Sequence, residues 1–206
     1  MPEKAPEHLL ATPRLILASA SPRRRELLEN LGVNFEVLVS DFDEGTLAHI
    51  VDPAEYVVRA AESKAEAVAA RCRDGIVLGV DTDVVAPDGN ILGKPTGLDD
   101  ARRMLRSLSG KTHHVYSAVT ALLVVSGVIR QRGTRLVTVA VSFRPLSDQA
   151  IEHYMTASEY GDKAGGYGIQ GRAMAFVDRL DGDLSAVIGL PLTALTDLLG
   201  EFGVSL

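Results

Sequence analysis

Residues 76 to 85 read IVLGVDTDVV, a run rich in β-branched residues that is apolar until it closes on Asp81, Thr82 and Asp83. A run of this kind predicts a buried strand. Around it the periodicity switches repeatedly between short β-branched runs and helical stretches, with no internal repeat and no low-complexity linker. That alternation predicts an α/β fold in one cooperative unit, with two lobes allowed by the length of 206 residues.

The expected elements follow from local signals. RLILASA (14–20) reads as a first strand, PRRRELLENLG as a helix stopped by Gly32, and FEVLVS as a second strand. DPAE at 52–55 offers an aspartate N-cap, proline at the first helical position and glutamate at the third, so a helix is expected from there to about Cys72. After the buried strand come the turn APDGN, a short strand ILGK and a helix LDDARRMLRSLSG. Residues 114–125 and 135–144 are expected as two long antiparallel strands around a Ser-Gly turn, separated by the polar SGVIRQRGT. SDQAIEHYMTA is expected as a helix, GDKAGGYGIQG as a glycine-rich loop, AMAFVDRLDG as a strand and LPLTALTDLLGEFG as a closing helix.

Composition narrows the class. With 46% hydrophobic and 23% charged residues the chain is an ordinary globular one, and its net charge of −6 argues against a partner that is a nucleic-acid polymer or an anionic membrane. A single cysteine, Cys72, excludes an internal disulfide and any multi-cysteine zinc site, which fits a cytoplasmic protein. Residues 1–12 lack an apolar core and are expected as a loose polar tail, and no uninterrupted apolar run approaches the roughly 20 residues of a membrane span.

Against that acidic background the local basic clusters stand out. In SASPRRRELL, Ser21 is a good N-cap and Pro22 a good first helical residue, so Arg23, Arg24 and Arg25 fall in the first turn. Cations there oppose the helix dipole unless an anion sits among them. The run therefore reads either as a solvated face with local ion pairs or as a polyphosphate site, with guanidinium forks and the hydroxyls of Ser19 and Ser21 on phosphate oxygens. Lys64 lies inside the apolar arc formed by Val57, Ala61, Ala65, Val68 and Cys72; it either snorkels past the core edge or serves the same anion.

Asp81 and Asp83 share one face of their strand while Thr82 faces the other way. Carboxylates ending a buried strand need pairing, a metal or a catalytic duty, and Mg²⁺ suits one or two carboxylates together with substrate phosphates. Lys94 follows a hairpin returning to the same end. In the loop GDKAGGYGIQG, Tyr167 is a candidate to stack on a base and Gln170 to read a base edge, although the loop matches neither a Walker A nor a Rossmann fingerprint. DFDE (41–44) adds Glu44 as a further metal or water ligand, and the histidines at 113 and 114 read as structural.

Taken in order, LASASPRRREL, AESKA, LGVDTDVV, GKP, LSGKTHHVYSAV, GDKAGGYGIQG and GLPL make the chain resemble the Maf family of nucleoside triphosphate pyrophosphatases, over nearly its whole length. The resemblance implies a mixed α/β fold, its twisted sheet flanked by helices and a deep substrate cleft between two lobes within residues 13–206. It implies hydrolysis of a nucleoside triphosphate to monophosphate and pyrophosphate with a divalent cation, Mg²⁺ or Mn²⁺, and it is compatible with a homodimer. Position by position, Asp81 matches the family's proton acceptor, and Ser19, Arg24, Lys64 and Lys94 its phosphate-handling residues. Arg23, Thr82 and Gln170 fall where the family tunes base preference. The spelling SPRR with DT and GIQG resembles the branch that prefers dTTP and UTP. Two alternatives remain at this level, a nucleotide-binding regulator of septum formation without turnover and a house-cleaning enzyme for inosine or xanthosine triphosphates. Asp83 departs from the family's apolar residue after DT, with one extra residue before GKP, and VYSAV stands where VxTGV is common.

Overall fold

The computed structural model describes residues 13–205; the tail expected over residues 1–12 lies outside the described residues. The buried run at the centre of the sequence becomes the centre of the molecule. Strand β3 (Gly75–Val85) pairs in parallel with β1 (Leu15–Leu17), which pairs in parallel with β2 (Phe35–Val37). On its other side β3 lies antiparallel to β5 (Thr112–Val125), followed by β6 (Val128–Phe143) and β7 (Val177–Asp181), with β4 (Ile91–Leu92) added to the end of β3. The result is a mixed seven-stranded sheet in the order β2-β1-β3-β5-β6-β7, flanked by helices as expected.

Alternation along the strands sends side chains to cores on both faces. Leu15 and Leu17 meet Ile76, Leu78 and Val80 beneath helix α1 (Pro22–Asn30) and helix α6 (Leu192–Glu201). Ile16 and Val77 point the opposite way, against helix α2 (Pro53–Ala69). A further core gathers Val84, Val115, Val139 and Val141 with helix α3 (Leu98–Leu108) and helix α4 (Asp148–Met155).

Helix α2 begins as its sequence requires, with Asp52 Oδ1 accepting from the Glu55 amide at 2.8 Å. Its inner face is mostly alanine, which lets it lie very close to the sheet. A Cβ placed on Gly79 would come 2.1 Å from the Ala61 carbonyl oxygen, so glycine is what permits helix and strand backbones to meet there. The contact lies two residues before Asp81 on β3 and one turn before Lys64 on α2.

Three expectations need correction. The second strand of the hairpin starts well before residue 135: the expected Ser-Gly turn forms at Ser126 and Gly127, both at positive φ, and leads directly into β6, whose Gln131 and Arg132 pair with Leu123 and Leu122. Turns of that hand match the twist of a hairpin, and the polar side chains face solvent, so composition concealed the strand. The first half of AMAFVDRLDG is a 3₁₀ helix, Arg172–Phe176, and the strand starts only at Val177. Before the closing helix, a short helix α5 (Leu184–Ile188) forms where none was expected, its first turn capped by Asp183 Oδ1 on the Ser185 amide at 2.8 Å.

Candidate active site

A cleft of about 1060 Å³ lies against the end of β3. Ser19, Arg23, Arg24, Glu44, Lys64, Asp81, Thr82, Lys94 and Gln170 all line it. The sequence separations are large, but the parallel crossover β1-α1-β2 and the docking of α2 on Gly79 bring these residues to one end of the sheet.

The arginine run divides by helical geometry, since consecutive residues point about 100° apart. Arg24 turns into the cleft, where Nη1 donates to Ser19 Oγ at 3.0 Å and Nε to the Gly189 carbonyl at 2.9 Å. Burial pulls its guanidinium below its ordinary pKa, and the charge of Asp81 works against that shift. Arg23 reaches across the cleft mouth to Asp162, with Nη1 at 2.9 Å from Oδ2. Arg25 is exposed and belongs to the solvated face. Ser21 stands at the N-cap position, yet its side chain makes no capping bond; its amide instead donates to Ser19 Oγ at 3.3 Å.

Lys64 does not snorkel. Its side chain is 13% exposed, and Nζ lies 2.5 Å from Asp81 Oδ1 and 2.7 Å from Glu44 Oε1, so one ammonium bridges two carboxylates. Burial works to raise the Glu44 carboxyl, but the bond to Lys64 and the charges of Lys94 and Arg24 outweigh it and hold the group below its usual range. The second oxygen of Asp81, Oδ2, is buried with no hydrogen-bond partner. Asp83 shares that wall of the cleft, as alternation requires. Burial first, then the neighbouring charges of Asp81 and Glu44, push its carboxyl well above the usual carboxylate value. On the opposite face of the strand Thr82 Oγ1 lies 2.8 Å from Ser117 Oγ and donates to the Gly189 carbonyl at 3.3 Å.

The glycine-rich loop forms the far wall. Gln170 is exposed within the cleft, but Tyr167 does not present its ring for stacking as expected. It is 5% exposed, packed edge-on against Phe143 with centroids 4.9 Å apart, and its hydroxyl lies 2.8 Å from Nε2 of the fully buried His113. Sequence reasoning also missed Glu159, Asp162 and Lys163 at the cleft mouth and the Gly189 carbonyl that binds both Arg24 and Thr82. The loop residues carry no periodic signal. A backbone carbonyl carries none at all.

Among the described residues no three His, Cys, Asp or Glu side chains form a ready-made metal cage. The Glu44–Asp81 pair, with Asp81 Oδ2 buried and unpartnered, is nevertheless a hard-oxygen donor set, suited to a small divalent cation that fills its remaining positions with water and phosphate.

Fold and cleft together define an α/β protein in which cations from separate chain segments face a carboxylate pair, an arrangement for a polyanionic ligand. The family model described as Maf-like protein matches residues 14–202, and the chain belongs to that family. Among curated relatives, proteins named dTTP/UTP pyrophosphatase are 45% identical in Desulforamulus reducens, 46% in Hahella chejuensis and 47% in Moorella thermoacetica. These matches cover 93%, 94% and 93% of this chain and 98%, 94% and 96% of the relatives. A solved nucleoside-triphosphatase / dITP/XTP pyrophosphatase from Mycobacterium abscessus superposes with a TM-score of 0.40 at 12% identity, over 65% of this chain and 75% of its own.

Proposed function

We propose that this protein hydrolyses nucleoside triphosphates, dTTP and UTP foremost, to the nucleoside monophosphate and pyrophosphate. The observation that carries the reading is the convergence of Ser19, Arg24, Lys64 and Lys94 on a cleft whose wall holds Asp81 with an unpartnered carboxylate oxygen. The names of relatives at 45–47% identity over nearly their full length support the same activity and the choice of pyrimidine nucleotides.

Binding comes first in the chemistry. Arg24 and Lys94 hold phosphate oxygens, the Ser19 hydroxyl donates to one of them, and the Lys64 ammonium turns from its carboxylates toward the triphosphate. Glu44 and Asp81 are the residues that would hold a divalent cation, which when bound neutralises phosphate charge and favours departure of pyrophosphate. Asp81 Oδ2 accepts the proton of the attacking water. Attack at the α-phosphorus, as the family resemblance implies, breaks the bond to the bridging oxygen and releases pyrophosphate. Arg23, Thr82 and Gln170 contact the nucleoside end and select the base. Little covalent work falls to the protein, because positioning and charge stabilisation carry most of phosphoryl transfer.

Residues 13–206 act as one unit with two lobes about this cleft, in the cytoplasm. Among the described residues no helix is long and apolar enough to cross a membrane. The test is incubation of the purified protein with dTTP, UTP, CTP, GTP, ITP and XTP plus Mg²⁺ or Mn²⁺, with release of pyrophosphate measured. Turnover of dTTP and UTP above the others is expected. Preference for ITP or XTP would make it a house-cleaning enzyme for purines, and tight binding without turnover would make it a regulator.

A further inference from the structure

The loop that carries Gln170 is held from several sides. The Gly165 amide donates to the Gly93 carbonyl at 3.1 Å, the Gly168 amide to the Tyr154 hydroxyl at 3.2 Å, and the Arg172 amide to Glu159 Oε2 at 3.0 Å. These bonds grip backbone. The contact of the Tyr167 hydroxyl with His113 Nε2 is different, because it runs through a side chain into the core and ends on β5, the strand that pairs with the one bearing Asp81.

Tyr167 is the one residue between Gly165 and Gly168 with a side chain. Gly165 and Gly166 both sit at φ +70°, a region that favours glycine, so the backbone there is intrinsically permissive, and the side chains that tie it to the core are Tyr167 and the buried Ile169. The ring is wedged against Phe143 and His113, at centroid distances of 4.9 and 5.5 Å.

His113 gains little stability from this arrangement. It is fully buried, Nε2 meets the tyrosine, and Nδ1 has no partner. Whichever nitrogen carries the proton, one polar position of the ring stays unmatched in the core, a cost that an apolar pair of similar shape would avoid. Burial accordingly keeps the imidazole neutral, with its pKa lowered to about 4. A polar group retained at that cost, bonded to a cleft-loop side chain three residues from Gln170, has a positional use.

We propose that His113 and Tyr167 are positioning residues for base selection: their hydrogen bond locks the glycine-rich loop in the setting that presents Gln170 to the nucleotide base. Neither residue is hydrogen-bonded to Arg24, Lys64 or Asp81. The inference rests on the reading of the cleft as a nucleoside triphosphate site.

Two variants test it. Y167F keeps the ring and leaves His113 without a partner; H113L/Y167F removes both polar groups, so neither is orphaned. Melting temperature, kcat and KM for dTTP, UTP, CTP and ITP, and nucleotide affinities by calorimetry are measured for both and for the wild type. The melting temperature is expected to fall in Y167F and recover in the double variant. KM and Kd for the preferred nucleotide should rise about 5- to 10-fold in both, with preference over the other bases falling by the same factor and kcat within about twofold, the scale of one lost hydrogen bond. Base preference that stays at the wild-type value in the folded variants, or that recovers together with the melting temperature, overturns the proposal. So does a fall in kcat common to all nucleotides with KM unchanged. A wild type that releases no pyrophosphate from any nucleotide overturns the parent reading instead, while the calorimetric affinities still decide this one.

Discussion

Asp81 and Lys64 touch at 2.5 Å, yet their replacements should fail in different ways. In Asp81→Asn the side chain keeps its shape and loses its ability to take a proton. Turnover should drop at least about a hundredfold while nucleotide binding, followed by calorimetry, is largely kept. Near-normal turnover would remove Asp81 from the chemistry. Lys64→Ala leaves Glu44 and Asp81 facing each other without their shared counter-ion and takes a cation from the triphosphate. The expected result is a KM raised about tenfold or more in a folded protein, read from steady-state kinetics with circular dichroism as the control. Both residues were conspicuous in the sequence for one reason: a charge inside an apolar pattern needs a partner, and the pattern shows the need. Asp162 was not conspicuous. An aspartate in a glycine-rich loop satisfies every local rule, and only its placement beside Arg23, 139 residues earlier, gives it a duty.

Among the elements, α2 decides whether the site exists. Its capping signal and alanine face were plain in the sequence, whereas the depth at which it docks was not, because that depth is set by the missing side chain at Gly79. Gly79→Ala puts a methyl group into the Ala61 carbonyl and forces the helix outward. Overpacking of this kind costs about 1–3 kcal/mol, and the shift carries Lys64 away from Asp81. Chemical denaturation should show the lost stability and the kinetics a raised KM. Normal values of both would mean that the helix can move off the strand without disturbing the site. The hairpin β5–β6 teaches the converse. Its polar strand was hidden because one face of it meets water, and the pairing partner, not the residue type, makes it a strand.

For the whole molecule, one sheet runs through every core. Strand β5 contributes Val115 to the core beneath α3 and α4 and Val119 to the one beneath α1 and α6, so the two are tied by a continuous backbone ladder. Heating should therefore give a single calorimetric transition whose enthalpy equals the van't Hoff value; two transitions would split the unit. The transition should also move with pH in a direction that His113 sets. Its pKa is about 4 in the folded protein against 6.5 for the free side chain, so between those values the unfolded chain binds the proton and the native one resists it. This contribution is complete above about pH 6.5 and is lost as pH falls toward 4, amounting to roughly 3 kcal/mol at most. H113L/Y167F should melt with a shallower dependence over that window, and an unchanged dependence would show that other groups carry it.

Local chemistry in the sequence was enough to determine the α/β alternation, the helix starts, the central buried strand and the identity of most charged side chains in the cleft. Each of these is a property of a short window: a period, a cap, or a charge where a period forbids one. Tertiary structure alone decided that Arg24 and Thr82 share the Gly189 carbonyl, that Tyr167 turns inward to His113, and that Arg23 meets Asp162. Those contacts join residues far apart along the chain through backbone groups and loop conformations, which leave no periodic trace and acquire a direction only when the sheet brings their neighbours together.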